Sequence, residues 1–234
     1  MKNVFKIFLI LLLFITIGTQ KSFSQLKFGV KGGVNLANIA QDYKDASDEE
    51  ATKMSVLYTF GGVIDFSLSD AMSIQSGLLL SAKGYSVDVK EEYDATGFDR
   101  YVINYLEIPV SFAYKIKGFQ VYAGPYVAFG IFGKNKWDLK GDGWDDSGDA
   151  KFKFVMKEVD LESLADDELP AKRVDYGLNF GVGYQLGPIL INAGYSLGLA
   201  NLTPAIKDFD EFDPKDNKNS TRTISLTATF FFGK

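Results

Sequence analysis

The stretch YLEIPVSFAYKIKGFQVYAGPYVAFGIF, residues 105–132, alternates oily and polar positions and reverses its parity at Lys117–Gly118. Upstream, the even positions Leu106, Ile108, Val110, Phe112 and Tyr114 are oily, while Glu107, Pro109, Ser111, Ala113 and Lys115 occupy the odd ones. Downstream, the oily set is odd: Phe119, Val121, Ala123, Pro125, Val127 and Phe129. A two-residue hairpin reverses parity in this way, since pairing Ile116 with Phe119 sets Phe112 opposite Ala123 and Val110 opposite Pro125. Glu107 and the two prolines are rare in a soluble core strand. They ask for one face in oil and the other in a confined polar space, with a local bulge accommodating the missing proline donors.

The same alternation recurs over Arg173–Leu186, Leu26–Ala37, Met54–Leu68, Ile189–Ala200 and Arg222–Phe232, and more loosely over Met72–Ser86. That makes eight strands, each as long as the roughly 9–11 residues a tilted strand needs to cross a bilayer. Parity alone leaves a soluble barrel with an oily interior open. The connections discriminate: 68–71, 117–118 and 187–188 are short, while 38–53, 87–100, 133–172 and 201–219 are long. The fold class predicted is all-β, an eight-stranded antiparallel up-and-down transmembrane β-barrel. Its short turns are periplasmic, its long loops extracellular and both termini periplasmic. Tyr101, Tyr114, Tyr176, Tyr184, Tyr195, Phe119, Phe230 and Phe232 are expected on the lipid face, several of them in interfacial girdles.

The chain opens with Lys2 and Lys6, an apolar run from Ile7 to Ile17, and small residues Ser22 and Ser24. These are the parts of a signal peptide over 1–24, leaving one barrel domain over 25–234. Its removal takes three lysines and no acid, moving the formal charge from −5 to −8. Cysteine and histidine are both absent. Stability must come from pairing and packing, and the histidine-based catalytic arrangements are missing, so no enzyme, catalytic residue or cofactor is expected. No Gly-rich phosphate loop or basic aromatic patch suggests a nucleic-acid partner.

Lys27, Lys31, Asp65, Lys83, Glu107, Lys115, Arg173 and Asp175 fall on the inward face. Eight strands enclose an interior that side chains just fill. With Tyr85, Tyr122 and Tyr126 also inward, a salt-bridged plug is predicted; the alternative is a small channel for ions or small solutes. The long loops carry 26 acidic and 14 basic residues, net −12, so the rim is acidic. Loop 133–172 is long enough to imply structure or function. Within it, DLKGDGWDDSGD (138–149) loosely resembles a calcium loop, with Asp138, Asp142 and Asp149 as candidate ligands; Lys140 takes a ligand position and no glutamate closes it. Trp137 and Trp144 are either packing that orders the loop or an exposed patch for a protein partner. Residues 151–159 are expected to extend the neighbouring strands, and Ser163 to cap a short helix.

FGVKGGVNLANI (28–39), YLEIPV (105–110), VYAGPYVAFG (121–130), DYGLNFGVGYQLG (175–187) and SLTATFFFG (225–233) together resemble the PorT-like outer-membrane β-barrel family common in Bacteroidetes. The resemblance implies an outer-membrane address, with lipid as the surrounding partner. Through the family's namesake it also implies a link to secretion; a structural or partner-binding role is expected from the plugged lumen and the acidic extracellular loops, not from the resemblance.

Overall fold

The computed structural model describes residues 25–43, 52–89, 95–209 and 214–232. The expected signal segment lies outside them. Twelve strands follow in order: β1 (Leu26–Tyr43), β2 (Thr52–Ser67), β3 (Met72–Val89), β4 (Ala95–Ile116), β5 (Phe119–Gly141), β6 (Trp144–Val155), β7 (Glu158–Val159), β8 (Glu168–Lys172), β9 (Val174–Leu186), β10 (Ile189–Gly198), β11 (Ala205–Ile206) and β12 (Asn217–Phe232). Eight of them form a ring, β4-β3-β2-β1-β12-β10-β9-β5, closed by the β4–β5 pairing. Closure pairs the backbone all the way round, which a membrane-spanning sheet requires because lipid offers no hydrogen bonds.

The turn that organises the first hairpin is built from Lys117 (φ 49) and Gly118 (φ 89). Two consecutive positive φ values are the type I′ geometry whose twist matches a hairpin. Ile116 pairs with Phe119 and Phe112 with Ala123, as the parity switch requires. All three short turns lie at one end with the start of β1 and the end of β12, where Phe28 pairs with Phe232.

Burial is inverted relative to a soluble protein. Phe28, Val56, Phe60, Val121, Val182 and Leu226 are exposed, whereas Asn35, Thr59, Asp65, Lys83, Glu107 and Asp175 are buried. An apolar band around a polar interior is stable only when hydrocarbon is the outer solvent. Among the described residues no helix is long and apolar enough to cross a membrane.

Three local expectations are corrected. No bulge forms at the prolines, because Pro109↔Tyr126 and Phe112↔Ala123 keep one register; the irregularity lies at Asn104/Tyr105, opposite Phe132 and Gly130. Tyr101 is inward, stacked on Tyr85 with centroids 4.7 Å apart, because β3 and β4 pair these two residues directly. Loop 133–172 is largely β structure: β5 runs on for 23 residues, on the order of 70 Å of strand, and folds back as β6. β6 then pairs in parallel with β8, and β7 in parallel with β11.

Candidate functional site: a plugged lumen

The inward side chains gather into two polar layers. In the layer nearer the loops, Lys83 on β3 places Nζ 2.9 Å from Glu107 on β4 and 3.0 Å from Asp175 on β9. The same ammonium lies 4.0 Å from the ring centroid of Tyr126 on β5. The Tyr126 hydroxyl donates to Asp175 Oδ2 at 3.1 Å, and so does Thr221 Oγ1 on β12. Lys83, Glu107 and Asp175 are 2%, 5% and 0% exposed. Charges this deep persist only because each faces its counter-charge.

The second layer sits near the short turns. Lys115 Nζ on β4 donates to both Asp65 oxygens on β2, at 2.8 and 3.0 Å. Gln75 on β3 donates to Asp65 Oδ2 at 2.7 Å and to Gln120 Oε1 on β5 at 3.1 Å. Gln120 then donates to Asn192 Oδ1 on β10 at 2.9 Å, so the chain of bonds crosses the lumen from β2 to β10. A cavity of about 70 Å³ remains between the layers, bounded by Lys83 and Glu107 on one side and Gln75 and Asn192 on the other.

Glycine makes room for this filling. A Cβ on Gly194 would stand 2.2 Å from the Tyr122 hydroxyl, and one on Gly181 2.7 Å from it. The small residues that alternate along β9 and β10 thus leave the space that a β5 tyrosine occupies.

Five of the eight predicted lumen charges meet, in two separate groups: Lys83 with Glu107 and Asp175, and Lys115 with Asp65. Lys31 lines the cavity between the layers and makes no salt bridge with the described residues. Lys27 is exposed at the short-turn end although it pairs with Asp65 in register, and Arg173 is exposed at the loop end just before β9. Sequence reasoning missed Gln75, Gln120, Asn192, Thr221 and Tyr105. For four of them the signal was present, as uncharged polar groups at inward parity on strands already assigned; Thr221 lies just before the strand expected over Arg222–Phe232 and joins it because β12 begins at Asn217.

Tyr105 is 1% exposed and its hydroxyl has no hydrogen-bond partner among the described residues. Removing an unsatisfied buried hydroxyl relieves its desolvation cost. Tyr105→Phe is therefore expected to raise barrel stability by about 1 kcal/mol, read as a higher urea midpoint for the folded form. A lower midpoint would mean the hydroxyl is satisfied.

At the loop end, Asp138, Asp142 and Asp149 do not converge. Asp138 pairs with Ser147 and Asp149 with Lys136 along a regular ladder, while Asp142 sits in the turn between Gly141 and Trp144. An extended hairpin cannot wrap its side chains round one ion as a twelve-residue calcium loop does. Among the described residues no cluster of three acidic side chains is arranged to hold a metal. Trp137 is half-buried with its ring over Gly148, where a Cβ would stand 2.3 Å from it, whereas Trp144 remains exposed above Gly141. The expected helix cap is also different: Asp160, not Ser163, caps a single 3-10 turn over Leu161–Ser163.

The Lys134 ammonium, 3.0 Å from Asp149, holds that carboxyl below the usual carboxylate range by hydrogen bond and charge. A folded-state pKa below the unfolded one adds stability above the unfolded value, which is lost as pH falls through the folded value. An NMR titration is expected to place the Asp149 midpoint below the ordinary value of about 3.9, and Lys134→Met to return it there. A midpoint unaffected by Lys134→Met would assign the shift elsewhere.

A family model described as outer membrane protein beta-barrel domain matches residues 19–203. The chain belongs to this family. It is accordingly an outer-membrane β-barrel protein. Members of the barrel class with solved structures are similar to it at low identity. The attachment invasion locus protein Ail of Yersinia pestis has 10% identity and a TM-score of 0.41, covering 89% of this chain and 99% of that one. Neisserial surface protein A has 10% identity and a TM-score of 0.41, covering 88% and 97%. The outer membrane protein OprG from Pseudomonas aeruginosa has 12% identity and a TM-score of 0.35, covering 89% and 96%. No curated protein matches the chain.

Proposed function

We propose that this outer-membrane protein is a closed, non-catalytic scaffold that meets a protein partner at the cell surface through its long-loop end. The observation that carries the closed state is the crossing of the lumen by two hydrogen-bonded layers, one held by Lys83 and one by Asp65. The alternation of short turns and long connections supports short turns and termini on the periplasmic side. The β5–β6 hairpin supplies a raised surface with Trp144 exposed, and the loops supply its acidic charge. The PorT-like resemblance of the strand motifs supports an origin in Bacteroidetes and a secretion-related partner. It goes with the signal peptide read over 1–24.

The competing reading is a small channel for ions or solutes. Planar-bilayer recording of detergent-refolded protein, with heat-modifiable gel migration as proof of folding, separates the two. The expected result is a folded band with no steady current. Reproducible single-channel steps would reverse the assignment.

A further inference from the structure

The cations at the long-loop end are not spread evenly. On the outward face of β4 and β5, Arg100 pairs directly with Lys136, and one step closer to the membrane Val102 pairs with Lys134. On β6, Asp149 stands opposite Lys136, and Lys151 opposite Lys134. Asn135, between the two lysines, is buried on the inner face, whereas Arg100, Lys134, Lys136 and Lys151 are all exposed. Four cations therefore surround Asp149, in a rim whose long loops are net −12.

Like charges directly opposite one another on paired strands are destabilising. Part of the group is neutralised internally, because Lys134 bridges Asp149 at 3.0 Å and Lys151 bridges Asp167 at 3.4 Å. Arg100 and Lys136 make no salt bridge with the described residues, and Asp88, on the same face of neighbouring β3, is held by Lys53. Two outward charges thus stand side by side with no counter-charge. Their height shows what they face. The outward apolar side chains of β5 run from Phe119 to Phe132, and Lys134 and Lys136 are the next two outward positions. A tilted strand of that length spans the apolar band of about 25 Å, so the cations stand at headgroup level.

We propose that the outward face of β4, β5 and β6 holds a membrane lipid by a phosphate monoester headgroup, with Arg100 and Lys136 as its counter-charges and Phe132 against its acyl chains. A monoester carries about −1.5 to −2 charge at neutral pH, which two unpaired cations match, whereas a phosphodiester carries a single charge. The planar fork of arginine suits two phosphate oxygens at once. The site lies on the outer wall of the barrel, so it depends neither on the closed lumen nor on the protein partner proposed above.

The test uses the full chain refolded into phosphatidylcholine vesicles, with heat-modifiable migration checked for each variant. Electron spin resonance of trace spin-labelled lipids reads their association with the barrel. Phosphatidic acid, a monoester, is expected to be preferred over phosphatidylcholine by about fivefold, the scale set by one basic residue at a charged headgroup layer. Phosphatidylglycerol, a diester, should fall between the two. Arg100→Gln/Lys136→Gln should abolish the preference. Lys207→Gln/Lys218→Gln removes the same charge elsewhere at the long-loop end and should leave the preference unchanged; all four residues are exposed, so both variants are expected to fold. Inorganic phosphate added at the lipid's concentration should not compete. The proposal would be overturned by a wild type without the preference, by its survival in the Arg100/Lys136 variant or by its equal loss in both variants. Phosphatidylglycerol held as tightly as phosphatidic acid, or displacement of the lipid by inorganic phosphate, would overturn it as well.

Discussion

Lys83→Met is expected to lower the unfolding free energy of the barrel by about 3–5 kcal/mol, because it strands two carboxylates that no other cation among the described residues reaches at bonding distance. Glu107→Gln or Asp175→Asn alone should cost less, since Lys83 keeps one counter-charge. The triple variant Lys83→Met/Glu107→Gln/Asp175→Asn should recover most of the loss, as replacing a whole buried ionic group is often close to neutral. The three positions are in direct contact, so their effects will not add. The urea midpoint of the heat-modifiable folded band reads all of these. A Lys83→Met barrel within 1 kcal/mol of wild type, and carrying a new conductance, would mean that the layer guards a water-filled path and does not hold the fold together.

Leu226→Arg is expected to cost about 2–4 kcal/mol, the penalty for a cation on the lipid face near the bilayer midplane. Leu226 is exposed on β12, pairs with Val34 and Ala193, and lies well inside the apolar band that runs from Ile224 to Phe232. Ile189→Arg places the same charge beside the Gly187–Pro188 turn, where the penalty should fall to about 0–1 kcal/mol. The depth dependence is the discriminating readout, because a barrel in water would tolerate both substitutions alike. Equal and small costs at the two positions, measured by refolding into lipid vesicles, would contradict a membrane-facing exterior.

The extension at the long-loop end shows where local reading stops. Residues 144–155 contain Trp144, three aspartates and Gly148, and locally they suit a loop or an ion-binding segment. They form β6 because β5 continues past the membrane and offers an open edge, so the pairing of Lys134 with Lys151 and of Gly141 with Trp144 is a consequence of the neighbour. The parallel pairing of β6 with β8 joins segments separated by the 3-10 turn, and no periodicity announces it.

The chain's own alternation determined the eight crossing strands, their faces, the three tight turns and the register of the central hairpin. These follow from the period-two geometry of a strand and from turns of fixed length, both of which are local. Tertiary structure alone decided which inward charges meet. Strand tilt and ring closure set the heights at which β3, β4 and β9 bring Lys83 to Glu107 and Asp175, and left Lys27 and Arg173 at the two rims. The same closure brought Tyr105, Phe152 and Leu202 from three distant segments around one cavity. Side-chain parity says which face a residue occupies, and only the shear of the closed barrel says which residues share a level.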